Sequence, residues 1–299
     1  MEVLDKRVLP FFRLIRLPNL FIIALTQYVS YVFLPILIDG EVVCKHLPFL
    51  DTRLFLMISA TVCIAAAGNV INDYFDIKID LINKKHKVII SRYIGRRTAI
   101  VLHIFLNLVG IVIGFALSWK VGMFMAAMSF ILVMYSATFK RWFLIGNVVI
   151  ASLLSLAIFV LWLMNPALIL KWILWYMAFA FFTGLIREII KDIEDVEGDK
   201  TYGCQTLPVL LGMNKTRKVI KALFIGQLFF LIAFVIDLIL ASKSIAAVFL
   251  LLSCGLFGAY TFYKFLQARN KIDYSQVSFM MKMVMLAGIL SIILNCVRI

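Results

Sequence analysis

Long apolar runs separated by short polar segments set the pattern of this chain. Runs of nearly uninterrupted apolar character fall at 20–38, 53–71, 98–118, 121–138, 145–163, 167–185, 219–240, 244–262 and 277–296. A helix of about 20 apolar residues matches the hydrocarbon thickness of a bilayer. Each run therefore predicts a membrane-spanning helix, nine in all, with the third and fourth nearly touching at Lys120. Open sheets cannot cross lipid, because their edge amides and carbonyls would go unsatisfied. The expected fold class is all-α, a polytopic membrane protein. No polar stretch is long enough for a separate soluble domain, so residues 1–299 read as a single transmembrane domain. The opening MEVLDKRVLP lacks a leader-peptide pattern, so the first run is expected to remain as a helix.

Composition agrees with the pattern. The chain is 64% hydrophobic and 15% charged, where soluble domains carry roughly 25% charged residues. Cys44, Cys63, Cys204, Cys254 and Cys296 show no metal-ligand spacing and read as small apolar residues, with no disulfide framework implied.

Charge adds a direction. The net charge is +14, and it is unevenly placed. With nine spans, the N-terminal segment and the segments after the even-numbered spans share one side. All but six of the 30 Lys and Arg lie there, the exceptions being Lys45, Arg53, Lys120, Lys171, Lys243 and Arg298. The basic side of a membrane protein faces the cytoplasm. The expectation is a cell-membrane protein with its N-terminus cytoplasmic, its C-terminus external and its active site facing the cytoplasm. The basic excess thus reads as a topology signal, and nothing points to a nucleic-acid partner.

Topology does not explain why carboxylates collect on the same side. Nine of the 16 Asp and Glu lie in two short segments, NDYFDIKID (Asn72 to Asp80) and REIIKDIEDVEGD (Arg187 to Asp199). Asp73, Asp76 and Asp80 stand at i, i+3 and i+7, and Asp192, Asp195 and Asp199 repeat that spacing. On a helix these positions fall within about 60° of one another. Like charges on one face repel, and more strongly beside an apolar slab than in water. A divalent cation would relieve that repulsion. Every candidate ligand is a carboxylate or amide oxygen, which selects a hard cation. Magnesium takes one or two carboxylates plus substrate phosphates, so the pair of motifs predicts a magnesium-bridged diphosphate. The glycine and ligand pattern of an EF-hand calcium loop is absent. Both motifs close an even-numbered span, as a weak internal repeat would.

At these residues the chain resembles the UbiA superfamily of intramembrane prenyltransferases. NDYFDIKID fits the family's N-D-x-x-D-x-x-x-D signature, and DIEDVEGD fits its second aspartate motif. RLIRLPN (Arg13 to Asn19) looks like the family's entry to the first helix, and YSATFKR (Tyr135 to Arg141) like its loop after the fourth. NKKHKVI (Asn83 to Ile89) stands where members carry N-R-P-x-R-P-I, with Lys84 and Lys87 replacing the arginines. Lysine keeps the charge and loses the bidentate fork. The resemblance covers essentially the whole chain. It implies nine helices around a central cavity, cytoplasmic cap loops carrying both motifs, magnesium, a prenyl diphosphate donor and a lateral opening to lipid.

The resemblance also implies roles. Asn72, Asp73, Asp76 and Asp80 would hold one magnesium ion, and Asp192, Asp195 and Asp199 a second. These ions would improve the diphosphate as a leaving group. Lys84, Lys87, Arg92, Lys140 and Lys191 are candidate diphosphate contacts. Loss of diphosphate leaves an allylic cation, which a water-poor site protects and which Tyr74, Phe75 or Tyr135 could face. The segment REIIKDIEDVEGDK most resembles the branch making digeranylgeranylglyceryl phosphate. The expected donor group is then geranylgeranyl and the acceptor geranylgeranylglyceryl phosphate, an ether lipid precursor. Arg13, Arg16, Asn19, Tyr135 and Arg187 are the candidate acceptor contacts. A quinone-type aromatic acceptor, of 4-hydroxybenzoate or naphthoate kind, is the alternative. An ion-coupled transporter is a remote one, which carboxylates at span ends, away from a broken midplane helix, argue against. Lys215, Arg217, Lys218 and Lys221 read as anchors to anionic lipid, and Gly198 and Gly203 as loop punctuation after the second motif.

Overall fold

The computed structural model describes residues 2–39, 41–43, 50–85 and 88–296. Among the described residues, eight helices are long and apolar enough to cross a membrane, and a bent pair, Val8–Leu14 with Leu17–Phe33 at 55°, makes a ninth if counted as one span. The all-α expectation holds apart from one small hairpin, β1 (Ile36–Ile38) antiparallel to β2 (Glu41–Val43). The chain forms two compact units.

Unit 1 comprises Met1–Leu25, Leu50–Trp142 and Glu197–Gln205. It contains α1 (Glu2–Leu14), the start of α2 (Leu17–Phe33), α3 (Thr52–Asn83), α4 (Arg96–Leu117), α5 (Trp119–Ala137) and a 3₁₀ turn, Phe139–Arg141. The two runs that meet near Lys120 are separate helices. Ser118 is extended and caps α5 by accepting from Val121 N. Lipid gives no hydrophobic drive between helices, so small residues and interhelical hydrogen bonds do the holding. A Cβ on Gly110 of α4 would lie 2.9 Å from the Ala60 carbonyl oxygen of α3, so that contact needs glycine. A buried polar chain joins three helices: Ser129 Oγ donates to Asn107 Oδ1 (2.7 Å), Asn107 meets the His103 ring, and His103 Nδ1 meets the Ala67 carbonyl (3.0 Å).

Unit 2 comprises Thr26–Phe49, Phe143–Val196 and Thr206–Ile299. It contains the rest of α2, the hairpin, α6 (Ile145–Met164), most of α7 (Leu170–Thr201), α8 (Leu207–Leu240), α9 (Ser244–Leu250), a π-helical turn (Leu251–Leu256), α10 (Phe257–Gln267) and α11 (Lys271–Ile293). The core around α7 packs Ile186, Ile189, Ile190 and Ile193 with Ala151, Ile220, Phe265 and Val277. Arg217 departs from its reading as a lipid anchor. Its guanidinium donates to the carbonyls of Leu266 (2.9 Å) and Ala268 (2.6 Å) and to Tyr274 Oη (2.5 Å). It therefore closes the C-terminus of α10, where unsatisfied carbonyls attract a cation.

Several boundaries differ from the apolar runs. The first span ends at Phe33 rather than at 38, because the chain turns into the hairpin. Helix α8 begins before its apolar run and breaks at Gly212, whose φ of 75° only glycine adopts freely. The differences that matter most are at α3 and α7. Each has 32 residues, about 48 Å of helix against a hydrocarbon core of about 30 Å. The excess is roughly the last twelve residues of each helix, the part that carries the carboxylate motif. The motifs are thus helix ends rather than cap loops. Gly198 likewise sits inside α7, and only Gly203, with φ 69°, is true punctuation.

Candidate active site

In unit 1 the first motif is assembled around two long-range ion pairs. The junction of α1 and α2 places Arg16 in the left-handed region (φ 55°). Leu14, Ile15 and Leu20 bury themselves there with Val70 and Ile77 of α3, and Asn69 Nδ2 donates to the Ile15 carbonyl (2.8 Å). This holds the Arg16 guanidinium against Asp73, Nη2 to Oδ1 at 2.6 Å. On the other side of the motif, the 3₁₀ turn after α5 brings Lys140 Nζ onto Asp76 Oδ1. The second Asp76 oxygen accepts from Asn72 Nδ2 (2.9 Å).

The remaining predicted residues of this unit are less gathered. Asp80 is half-buried, and its carbonyl accepts from the Lys84 backbone N–H (2.8 Å) at the end of α3. Asn19 and Tyr135 are half-buried, while Arg13 and Arg92 are exposed, Arg92 lying 5.3 Å over the Tyr93 ring. Tyr74 is half-buried and Phe75 is exposed. Lys87, with His86, lies outside the described residues.

The end of α7 joins this unit. Gly198 N donates to Asn83 Oδ1 at the end of α3 (2.9 Å), and a Cβ on Gly198 would lie 2.4 Å from Asn83 Nδ2. Asp199 is buried beside this contact. The chain then returns along the 3₁₀ turn, Gln205 N donating to the Arg141 carbonyl (2.8 Å). Cys204 sits in the bend, where burial, reinforced by Asp199, pushes its thiol up to about 11.

In unit 2 the second motif is balanced differently. Asp192 Oδ2 accepts from Asn147 Nδ2 of α6 (2.8 Å), and Asp195 is half-buried. The two basic residues of the segment turn to a carboxylate beside them. Arg187 Nη1 donates to Glu188 Oε1 (2.5 Å) and Lys191 Nζ to Glu188 Oε2 (2.8 Å).

The donor atoms of both motifs are oxygens, the chemistry that magnesium takes. Among the described residues no three carboxylates converge closely enough to hold a metal alone. Magnesium's usual mode needs only a few carboxylates, completed by waters and phosphate oxygens. Asn72 Oδ1 is buried without a hydrogen-bond partner among the described residues. A buried oxygen of that kind, beside Asp76, suits a cation.

Asn147, Glu188 and Asn83 escaped the sequence reading. Glu188 had a signal, since it stands one turn before Asp192 on the same helical face. Asn147 is 45 residues from Asp192 on another helix, and Asn83 is 115 from Gly198, so only folding shows their partners.

The UbiA prenyltransferase family profile matches residues 33–286. The chain belongs to this family. It is a prenyltransferase of the membrane. Curated relatives include digeranylgeranylglyceryl phosphate synthase of Methanosphaera stadtmanae, 31% identical over 79% of this chain and 86% of that protein. The synthase of Sulfurisphaera tokodaii is 32% identical over 72% of this chain and 74% of its own. Among solved structures, one of a digeranylgeranylglyceryl phosphate synthase in membranes superposes with a TM-score of 0.68 at 24% identity, covering 97% of this chain and 99% of that one. A UbiA homologue from Archaeoglobus fulgidus bound to GPP and Mg2+ gives 0.63 at 16% identity over 95% of this chain and 99% of that one. These two likenesses establish the fold.

Proposed function

We propose that this prenyltransferase moves a geranylgeranyl group from its diphosphate to geranylgeranylglyceryl phosphate, a step of ether-lipid synthesis. The observation that carries the reading is the likeness to synthases of that name across 79% of the chain. It is supported by a second motif in which Arg187 and Lys191, both cations suited to phosphate, are held in place beside Asp192. The family match runs from 33 to 286, through segments of both units, and supports reading the chain as one transferase domain.

In the reaction, the bond from the prenyl C1 to the diphosphate oxygen breaks. A bond from C1 to the acceptor hydroxyl oxygen forms, and the hydroxyl proton and diphosphate leave. Magnesium bound on the diphosphate supplies charge withdrawal from the leaving group. Asn72, Asp73, Asp76 and Asp80 would hold one ion, and Asp192, Asp195 and Asp199 a second. Arg16 and Lys140 keep the first motif charge-balanced, and Lys140, with Lys84, Lys87, Arg92 and Lys191, would contact the diphosphate. Arg13, Arg16, Asn19, Tyr135 and Arg187 serve the acceptor. Apolar walls from the spans keep water from the allylic centre.

The test is an assay of purified protein with magnesium, geranylgeranyl diphosphate and a panel of acceptors, products read by mass. The phosphorylated ether should be preferred by specificity constant, chelator should abolish turnover, and magnesium should restore it. A preference for 4-hydroxybenzoate or a naphthoate would overturn the acceptor and leave the family intact.

The orientation belongs to the same proposal: N-terminus cytoplasmic, C-terminus external, motifs facing the cytoplasm. It rests on the basic asymmetry. In a membrane-impermeant labelling experiment, a cysteine at position 86 should react from the cytoplasm and Cys44 from outside. The reverse pattern would reject it.

A further inference from the structure

Glu188 is the least expected carboxylate of the chain. It lies on the same face of α7 as Asp192 and Asp195, at i−4 and i−7 from them. Yet it is only 8% exposed, and both its oxygens accept from cations on its own helix. The opposite face of α7 is apolar core, Ile186, Ile189, Ile190 and Ile193 all buried.

The Arg187 contact is not a routine helix-surface pair. Residues at i and i+1 diverge by about 100° around a helix and do not face each other. The Arg187 side chain must curl across its own helix to reach Oε1, at 2.5 Å. The Lys191 contact, at i and i+3, is the ordinary kind, at 2.8 Å. Glu188 therefore bridges two cations that would otherwise repel, and sets both in one orientation.

A second observation points to a ligand. Arg187 Nε is buried and has no hydrogen-bond partner among the described residues. Burying a charged donor without an acceptor is costly, and native structures almost always avoid it. The guanidinium has five donors, of which the Glu188 contact uses one. A purely structural ion pair gives no reason for the Nε–H to stay unmatched. An anionic oxygen supplied by a substrate gives one, and a phosphate monoester fits the planar fork of arginine.

We infer that Glu188 is a positioning residue for acceptor recognition: it locks Arg187 and Lys191 so that Arg187 presents its Nε–H to a phosphate oxygen of the acceptor. This rests on the proposed phosphorylated acceptor and adds the residue that makes its phosphate selective. Glu188 itself touches neither substrate. Each of its oxygens accepts from one of the two bases, and it acts through them.

The test uses the full-length protein in lipid nanodiscs. Glu188→Gln keeps the shape, removes the charge and turns an amide donor toward one of the two bases. The Michaelis constant for geranylgeranylglyceryl phosphate should rise about tenfold or more, with kcat within about threefold of wild type and the constant for geranylgeranyl diphosphate, which loses only the fixed position of Lys191, rising by a clearly smaller factor. Glu188→Asp, which keeps the charge on a shorter arm, should fall in between.

A binding arm needs neither turnover nor metal. With chelator present and no donor, wild type should bind the phosphorylated ether more tightly than the same ether lacking phosphate, and Glu188→Gln should lose that preference. An unchanged acceptor constant and preference in Glu188→Gln would overturn the inference. So would a parallel loss of kcat, both constants and thermal stability, which marks a structural role, or a rise confined to the donor constant. If Glu188→Gln does not fold, Arg187→Lys replaces it. That variant keeps the charge, lacks the Nε–H, and should show the same rise confined to the acceptor. Failure of the acceptor reading is seen separately, in wild type, as no product from the phosphorylated ether.

Discussion

In unit 1 the aspartates of the first motif are met by cations from far along the chain, Arg16 at 57 residues from Asp73 and Lys140 at 64 from Asp76. In unit 2 the bases beside the second motif are met by a carboxylate on their own helix, Glu188, and Asp192 receives a neutral amide from Asn147. The two motifs have one spacing in sequence and opposite charge arrangements in space. The first has its counter-ions built in, Arg16 on Asp73 and Lys140 on Asp76. In the second, Asp192 accepts an amide from Asn147, and the bases Arg187 and Lys191 are fixed on Glu188. It follows that altering the first motif should disturb both chemistry and stability, and altering the second mainly chemistry.

The largest effect expected is on turnover. Asp76→Asn and Asp195→Asn should each lower kcat by about 100-fold or more in saturating magnesium, since each removes a charge from a proposed metal site. Near-normal activity in either variant would reject that motif as a metal site. Thermal unfolding then separates the two regions. Asp76→Asn strands Lys140, whose side chain is 10% exposed, and breaking one partner of a buried pair costs about 3 kcal/mol or more. Asp192→Asn keeps an oxygen for Asn147 and should cost about 1 kcal/mol or less. Equal losses in both variants would erase the contrast.

A smaller effect tests the fixed bases. Arg187→Ala should raise the acceptor Michaelis constant about tenfold and the donor constant about twofold or less. A larger change for the donor would move Arg187 to the diphosphate. Smaller again is Gly198→Ala. The added Cβ would lie 2.4 Å from Asn83 Nδ2, so Asn83 must shift and its bond to Gly198 N weaken. A loss of about 1–3 kcal/mol is expected, read as a Tm lower by a few degrees. No change would mean that the ends of α3 and α7 are not held by this contact.

The least effect concerns Cys204, whose thiol is pushed up to about 11 by burial and by Asp199. Its folded-state value lies above the unfolded one, so its contribution to stability is complete below pH 9 and is lost as pH rises through about 11. Maleimide should label it slowly at pH 8, because little thiolate is present. Rapid labelling of the folded protein would contradict its burial.

The apolar runs gave the spanning helices because bilayer thickness acts on each run separately. Span ends were less legible. Nothing in the apolar run from 20 to 38 reveals the hairpin after Phe33, and a glycine among polar residues reads as a turn whether or not it is helical. Gly198 shows why that rule fails here: its lack of a side chain serves the approach of Asn83, not a change of direction. Arg217 fails for a related reason. Surrounded by lysines, it reads as lipid-facing, yet the carbonyl end of α10 offers it a stronger set of acceptors.

The sequence by itself determined the all-α membrane architecture, the family and the two aspartate motifs. These depend on local composition and on spacing within one helix, where period and length alone decide which residues share a face. Tertiary structure alone decided the partners. Arg16 reaches Asp73 because the left-handed turn at the α1–α2 junction is pinned to α3 by Asn69 and buried leucine and isoleucine. Lys140 reaches Asp76 because a 3₁₀ turn follows α5, and Asn147 reaches Asp192 because α6 packs on α7. An ion pair or a hydrogen bond is set by distances of about 3 Å, and separations of 45 to 64 residues along the chain leave such distances to the packing of helices.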